Sequence, residues 1–164
     1  MLSLVQDLLE FSQGAVSIQK REVDVGAYLE RARRALSPNF EGRGIELIVS
    51  SSVHGPVSLD PDRFLRVIIN IAGNAADVLG SGGRFEICAS AIPGRTVYTL
   101  SDNGPGIPES VRGTLFEPFV TTGKPHGTGL GMAIVRSFVE AHGGNISFQT
   151  ETGKGTAFTI ELPV

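Results

Sequence analysis

The clearest pattern of apolar and polar positions begins at Asp60-Pro61. There, an acid that can cap a helix precedes a proline suited to the first helical position. The apolar residues that follow, up to Gly80, fall within one broad arc of a helix. The opposite side is polar and includes Asn70 and Asn74, which share a face because they lie four residues apart. The pattern therefore predicts an amphipathic helix with two amides in its middle.

Three other segments have helical periodicity. After Asp24, a candidate N-cap, a helix is predicted over 25–37, and Pro38 is expected to stop it. Another is predicted over 129–141, before a closing His-Gly-Gly. Residues 1–12 carry apolar side chains at spacings of three and four, which suits either a partner helix or packing on the same domain.

Shorter segments rich in β-branched and aromatic residues are bounded by turn residues, as expected for strands. The last four of these segments form two hairpins, around Pro93-Gly94 and around Gly153-Lys154-Gly155. Two or three helices against a sheet built mostly from hairpins indicate an α+β sandwich. The predicted strands are 18–23, 45–49, 57–59, 85–91, 96–101, 146–150 and 156–162.

Residues 103–128 have no usable periodicity. A connection of this length is usually functional or mobile. The chain holds 21 glycines in 164 residues, about twice the ~7% average, and seven of them lie between residues 102 and 131. This density makes the long loop and its borders the first place to look for a ligand site.

Composition and charge exclude several classes of protein. A hydrophobic fraction of 41% supports a core and argues against a disordered tail, and no apolar run approaches the roughly 20 residues that a bilayer requires. The first residues lack the basic group of a signal peptide. A net charge of −3 predicts no general attraction to nucleic acid. The single cysteine, Cys88, and three scattered histidines make a zinc site unexpected.

Two glycine-rich motifs suit a ligand held close to bare backbone. In the first, DNGPG at 102–106, an acid at a strand end precedes two glycines, and its carboxylate can accept a hydrogen bond from an amino group. An ordinary Asx turn is the alternative. The second, GTGLG at 127–131, lies at a predicted helix start, where N–H groups and the helix dipole favour phosphate. A hinge with a helix cap is its alternative, and its spacing matches neither a P-loop nor a dinucleotide fingerprint.

The amides and the loop lysine add a third candidate chemistry. The side-chain carbonyls of Asn70 and Asn74 suit Mg²⁺, and asparagine is a poor interior helix residue unless it has a role. Lys124 can reach phosphate oxygens, although a solvated loop lysine is the commoner case. Phe116 and Phe119, which precede it, are expected to anchor the loop.

The order of these motifs resembles the ATP-binding domain of sensor histidine kinases, in the superfamily that includes gyrase, a heat-shock chaperone and mismatch-repair ATPases. The resemblance covers roughly residues 20–163. The segments NIAGNAADVL and FEPFVTTGKPHGTGLGMAIV are most similar to the nitrogen-regulation branch of these kinases. LVQDLLEFS, near the start, is similar to the end of the second helix of the dimerisation hairpin.

The resemblance implies a fold and a division of the chain. Residues 1–17 would end the dimerisation hairpin and link it to an ATP-binding catalytic domain at 18–164, with an ATP lid at 103–128. The implied fold is a two-layer α+β sandwich, in which a mixed, mostly antiparallel sheet packs against three helices on one face.

The same resemblance assigns roles to residues. Asn74 would be the Mg²⁺ ligand, and Asn70 its companion near the phosphates. Asp102 would bind the adenine amino group. Asp77 departs from the basic or amide residue common at its position, and either turns to solvent or helps to hold the metal. Lys124 would lie near the phosphates as a catalytic group with Asn70, and the other implied ATP-binding residues are Gly104, Gly106, Ile107, Thr121, Thr122, Gly127, Thr128, Gly129, Leu130, Gly131 and Thr156.

The resemblance also implies a reaction. ATP-hydrolysing relatives carry a glutamate where this chain has Asn70, an amide that cannot act as a base, so transfer of the γ-phosphoryl group to a protein histidine is expected instead. None of His54, His126 and His142 resembles the acceptor motif. The chain is therefore expected to bind ATP and Mg²⁺ without phosphorylating itself.

The implied partners are a histidine-bearing dimerisation domain and a response regulator receiver domain. The parent would be a homodimer on the cytoplasmic side, with or without a membrane anchor. An anti-sigma-type serine kinase and a non-catalytic nucleotide-sensing module are the alternatives.

Overall fold

The computed structural model describes residues 17–121 and 128–164, so the predicted helix at 1–12 lies outside the described residues. Its helices are α1 (Val25–Gly42), α2 (Pro61–Val78), α3 (Glu109–Arg112) and α4 (Gly131–Ala141). Its strands are β1 (Arg21–Asp24), β2 (Glu46–Ser51), β3 (Pro56–Leu59), β4 (Arg84–Ile92), β5 (Arg95–Asp102), β6 (Asn145–Glu151) and β7 (Gly155–Pro163).

Five strands form one sheet in the order β2-β4-β5-β7-β6. Only β2 and β4 run parallel, and the other neighbours are antiparallel. A separate two-stranded ribbon pairs β1 with β3. The prediction of an α+β fold with a mixed, mostly antiparallel sheet is confirmed.

The core lies between the sheet and the three long helices. Along β4 and β5, alternate residues are buried, as expected when one face of a sheet is covered. Phe64 of α2 is fully buried at the centre, with its ring centroid 4.6 Å from that of Tyr98 on β5 and 6.1 Å from that of Tyr28 on α1. These contacts fix α2 above the middle of the sheet. Within the described ranges, no helix is both long and apolar enough to cross a bilayer.

The prediction that α1 stops at Pro38 is wrong, because the helix continues through this proline to Gly42. The extra turn buries Phe40 completely, with its ring centroid 5.6 Å from that of Phe85 on β4. Burying a phenylalanine contributes about 1.5–3 kcal/mol, which is comparable to the ~3 kcal/mol cost of a helical proline.

Two other boundaries differ from the prediction for local reasons. α4 begins at Gly131 instead of residue 129, because Gly129 has a φ of +68° and cannot belong to a right-handed helix. The long loop contains the helix α3, which is only four residues long and too short to show a periodicity.

Candidate functional site

A cavity of about 310 Å³ opens between α2, the end of β5, the start of β7 and the long loop. Most residues singled out from the sequence lie in its wall, although they come from four separate parts of the chain. A single pocket of this size can hold part of a small-molecule ligand. The sequence-predicted residues that line it are Asn70, Asn74, Asp77, Asp102, Gly106, Ile107, Thr121, Thr128, Gly129, Gly131 and Thr156.

Five of the predicted residues are not in this wall. Gly104 lies in a neighbouring depression and touches the carboxylate of Asp102. Leu130 is fully buried in the core, since its side chain is apolar. Thr122, Lys124 and Gly127 lie outside the described residues.

Helix α2, which carries the two amides, is capped at its first turn. The carboxylate of Asp60 accepts the backbone N–H groups of Asp62 and Arg63, at 3.1 Å and 3.0 Å. Ten residues after Asp60, the side-chain amide nitrogen of Asn70 donates to the backbone carbonyl of Gly131 at 3.3 Å. This bond joins α2 to the first residue of α4, and Asn74 lies one turn further along the same wall.

Asp102 is the carboxylate at the end of β5, opposite Thr156 in the register with β7. Burial raises the pKa of Asp102, although hydrogen bonds from the backbone N–H groups of Gly104 and Thr156 oppose that shift. The Gly104 N–H lies 2.8 Å from Oδ1. A carboxylate held in this way at a cavity wall is suited to accept a hydrogen bond from an amino group of a ligand.

Two glycines allow backbone to form parts of the wall. Gly106 has a φ of +80°, and a Cβ there would lie 2.6 Å from the carbonyl oxygen of Glu151. Gly129 has a φ of +68°, and its Cβ would lie 2.5 Å from the carbonyl carbon of Phe119. Because any side chain at these positions would clash with the main chain of a neighbouring segment, glycine is required for the loops to pack this closely and form part of the wall.

Of the two expected loop anchors, the structure supports one. The ring of Phe116 packs edge-on against Phe148 of β6, at a centroid distance of 6.0 Å. Phe119 is 66% exposed and has a φ of +66°. Its backbone N–H donates to the carbonyl of Gly129 at 2.9 Å, so its main chain holds the loop while its ring faces outward.

Asp77 is an acid in the cavity wall, and an arginine from the end of α1 balances its charge. Nη1 of Arg43 lies 3.3 Å from Oδ1 of Asp77 and donates to the carbonyl of Ala76 at 2.8 Å. The sequence left two roles open for Asp77, solvent or metal. The structure adds a third, an ion pair with Arg43, which lies too far away in the sequence for a pattern to reveal.

Apart from Ile107, sequence reasoning missed the apolar part of the wall. It assigned Ile71 and Ala75 of α2 to the core arc, where they are indeed buried, but both also reach the cavity. The arc itself was the signal, since a helix that covers the edge of a core also borders the space beyond it. The other apolar wall residues are Val78, Pro108, Val111, Leu115, Val120, Met132 and Phe158.

The donor set bears on which ligands fit. Among the described residues, no three His, Cys, Asp or Glu side chains come together as a metal cluster. The cavity instead combines apolar walls, the half-buried carboxylate of Asp102, the ion-paired carboxylate of Asp77, two amides and glycine residues. These groups suit a ligand in which a flat aromatic base with an amino group is joined to an anionic part. The anionic part would supply some of the ligands of a bound cation itself.

Comparison with known proteins agrees with this chemistry. The family of histidine kinase-, DNA gyrase B- and HSP90-like ATPases matches residues 59–164. The alginate biosynthesis sensor protein KinB of Pseudomonas aeruginosa is 34% identical over 100% of this chain and 28% of its own length. The sensor histidine kinase ZraS of Escherichia coli is 33% identical over 98% of this chain and 34% of its own.

Among solved structures, full-length ShkA in complex with AMPPNP has a TM-score of 0.89 and 34% identity, over 99% of this chain and 35% of that one. This chain spans about a third of the length of the two curated relatives, KinB and ZraS. The chain belongs to the family of histidine kinase-, DNA gyrase B- and HSP90-like ATPases, and within it is similar to the ATP-binding domains of sensor histidine kinases.

Proposed function

We propose that this chain is the catalytic domain of a sensor histidine kinase, which binds ATP with Mg²⁺ and donates the γ-phosphoryl group to a histidine on a dimerisation domain. The observation that carries the proposal is the meeting of Asp102 and Asn74 in one cavity walled by glycine backbone. Similarity to sensor kinases over the whole chain supports the same conclusion.

In this proposal, Asp102 accepts a hydrogen bond from the adenine amino group, and Thr156 lies beside the base. The apolar residues that border the cavity exclude water around the ring. Gly106 and Gly129 line the cavity, and the absence of a Cβ lets each pack against the main chain behind it, at Glu151 and Phe119. The ribose and phosphates then extend along α2 toward the start of α4.

Asn74 is the proposed Mg²⁺ ligand, because its amide oxygen is a hard donor in the part of the wall that α2 forms. Bound Mg²⁺ would neutralise charge on the phosphates. Asn70 holds α2 against the start of α4 through Gly131, which keeps the phosphate end of the cavity in shape. Lys124, Thr122 and Gly127 are proposed to complete the phosphate site from the lid.

Transfer is favoured over hydrolysis for a chemical reason. A water molecule needs a base to become an effective nucleophile, and the amide side chain of Asn70 cannot act as a base. A histidine imidazole is already nucleophilic when neutral. Its ring nitrogen would attack the γ-phosphorus while the bond to the β–γ bridging oxygen breaks and ADP leaves.

The acceptor histidine is proposed to lie on a separate domain. His142 is only 1% exposed and both of its ring nitrogens are engaged, so it cannot meet a phosphate. We assign residues 1–17 to the end of the dimerisation hairpin and its linker, and 18–164 to the catalytic domain with a lid at 103–128. The parent kinase would be a cytoplasmic-side homodimer that passes the phosphoryl group to a response regulator receiver domain.

The test is a two-step assay on the wild-type chain. Calorimetric titration with AMPPNP, with and without Mg²⁺, should show binding that Mg²⁺ strengthens. Incubation with γ-labelled ATP and a histidine-bearing dimerisation domain should then label the histidine, in an acid-labile linkage. Label on a serine of a partner would support the anti-sigma-type kinase instead, and binding without transfer to any histidine domain would support a nucleotide-sensing module.

A further inference from the structure

Three side chains stand in a row across the end of the sheet. Asp102 on β5 is opposite Thr156 on β7, and Thr156 is opposite Thr150 on β6. Asp102 and Thr156 line the cavity. Thr150 is one strand further out, is half-buried and does not line this cavity.

The hydroxyl of Thr150 contacts three groups, one in the long loop and two at the start of β7. Its Oγ1 accepts the backbone N–H of Ile107 at 2.8 Å. It donates to the carbonyl of Gly155 at 3.1 Å and lies 3.1 Å from the hydroxyl of Thr156. A hydroxyl has one proton and two lone pairs, so this one can donate to Gly155 and accept from both Ile107 and Thr156. In that arrangement every hydrogen-bonding capacity of the group is used.

The direction of the hydrogen bond between Thr150 and Thr156 decides which group Thr156 presents to the cavity. If Thr150 gives its proton to Gly155, the Thr156 hydroxyl must give its own proton to Thr150. The oxygen of Thr156 then presents a lone pair to the cavity, next to the carboxylate of Asp102. The wall at this point accepts hydrogen bonds and does not donate them.

The contact with Ile107 fixes the beginning of the long loop. Ile107 lines the cavity, and the residues before it approach the turn between β6 and β7 closely. The Gly153 N–H donates to the carbonyl of Pro105 at 2.9 Å, and Gly106 has no room for a Cβ. The Thr150 hydroxyl therefore holds the N–H of Ile107, while Nε of Arg112 donates to the carbonyl of the same residue at 2.9 Å.

We propose that Thr150 is a positioning residue for nucleotide binding, which holds the loop at Ile107 against the cavity and orients the Thr156 hydroxyl as an acceptor toward the base. The proposal rests on the proposed function, because it assigns a role in that same site. Thr150 acts only through its two neighbours and does not touch the ligand.

The test compares two substitutions that separate the hydroxyl from the rest of the side chain. Thr150→Val keeps the shape and removes the hydroxyl, whereas Thr150→Ser keeps the hydroxyl and removes the methyl group. Thr159→Val, on the opposite face of β7, is the matched control for a threonine-to-valine change in the sheet. Each protein is titrated with AMPPNP and Mg²⁺, and amide exchange at Ile107 is followed in the nucleotide-free protein.

We expect Thr150→Val to bind AMPPNP about tenfold more weakly, the loss that corresponds to one or two buried hydrogen bonds. Exchange at the Ile107 amide should accelerate by a similar factor. Thr150→Ser and Thr159→Val should match the wild type in both measurements. Equal losses in the valine and serine variants would overturn the proposal, since packing would then explain them, and so would wild-type behaviour of Thr150→Val.

The exchange measurement needs no nucleotide. If the wild type does not bind AMPPNP, the proposed function fails, while slow exchange at Ile107 that Thr150→Val abolishes would still support the role of the hydroxyl in holding the loop. If the wild type binds and exchange at Ile107 is the same in all variants, the positioning role fails and the proposed function stands.

Discussion

His142 and Asp60 join the end of α4 to the beginning of α2. Nε2 of His142 accepts the backbone N–H of Asp60 at 3.0 Å, so Nδ1 carries the proton and donates to the carbonyl of Phe138 at 2.6 Å. The chain before β1 is tied to the same point. The carboxylate of Asp60 accepts the N–H of Gln19 at 2.8 Å, and Lys20 donates to the carbonyl of His142 at 2.8 Å. Both helices of the cavity are therefore held by one buried imidazole.

This imidazole makes stability depend on pH. Burial lowers the pKa of His142 below its ordinary value of 6.5, so the unfolded chain takes up a proton before the folded one does. The free energy of unfolding should therefore be highest above pH ~6.5 and fall as the pH drops through the lower pKa of the folded state. Chemical denaturation at a series of pH values measures it.

His142→Gln should remove this pH dependence and cost about 1–3 kcal/mol at neutral pH, through lost packing and hydrogen bonds. Asp60 contributes to the pH dependence of stability in a separate, more acidic range. Burial alone would raise its pKa, but backbone N–H groups of Arg63, Gln19 and Asp62 lower it below 3.8. A pH profile of His142→Gln that parallels the wild type between pH 5 and 7 would show that another group is responsible.

Asp102→Asn should separate binding from stability. We expect AMPPNP affinity to fall by roughly 10- to 100-fold, because a charge-assisted acceptor for the adenine amino group is lost. The melting temperature at neutral pH should be unchanged or higher, since burial raises the pKa of Asp102 and the folded state carries the charge at a cost. Undiminished binding would contradict the adenine assignment.

The raised pKa of Asp102 also predicts how nucleotide affinity should change with pH. As the pH falls through it, the carboxyl group gains a proton and no longer accepts as strongly, so AMPPNP affinity should decline in acid. Asp102→Asn cannot gain this proton and should show a flatter profile over the same range. Titration at several pH values compares the two proteins.

Asn74→Ala should remove the effect of Mg²⁺ on nucleotide binding. In the wild type, Mg²⁺ is expected to strengthen AMPPNP binding, whereas the variant should bind equally with and without the metal. The affinity measured without Mg²⁺ serves as the control, since an intact cavity keeps it at the wild-type value. A normal response to Mg²⁺, or a normal rate of transfer to a histidine domain, would disprove the metal assignment.

Gly129→Ala should weaken nucleotide binding and loosen the loop. Residue 129 has a φ of +68°, which side chains rarely allow, and a Cβ there would lie 2.5 Å from the carbonyl carbon of Phe119. The backbone must therefore move. We expect the strained backbone at residue 129 to raise the free energy of the folded loop by about 1–3 kcal/mol. Gly113→Ala is the control, because that glycine has a φ of −68° and nothing within 4 Å of its Cβ. Similar AMPPNP affinities for the two variants would argue against a role for Gly129.

Arg43→Ala should weaken binding of a triphosphate by up to about fivefold, since an exposed ion pair contributes roughly 0–1 kcal/mol. Without Arg43, the charge of Asp77 in the cavity wall would repel phosphate. The double variant Arg43→Ala/Asp77→Ala should recover the affinity, which a double-mutant cycle measures. If the double variant binds as weakly as Arg43→Ala, the arginine acts through the helix end at Ala76 instead.

The elements that the sequence predicted well are those whose signals are local. Asp60 and Pro61 define the start of α2 by their own chemistry, and the two hairpins are bounded by their own turn residues. The extension of α1 beyond Pro38 could not be predicted, because it depends on Phe85, far away in the sequence. The pairing of β1 with β3 is non-local for the same reason.

The candidate site follows the same division. Asp102 and the two asparagines were predicted because each stands in a motif whose residue types suit a ligand. The pairing of Asp77 with Arg43 and the contacts of Thr150 were not, since they join segments that no spacing rule connects. The apolar wall residues could not be identified from the sequence. A residue that packs in the core and also borders a cavity shows the same apolar periodicity as one that lies in the core alone.

The place of β7 between β5 and β6 has a consequence for the order in which the protein folds. β7 is the last of the described strands to be synthesised, yet it brings Thr156 opposite Asp102. Until it inserts, β5 keeps an open edge and the wall on that side is incomplete. During translation, the ability to hold a nucleotide should therefore arise only once this strand has left the ribosome, so that nascent chains remain inert toward it.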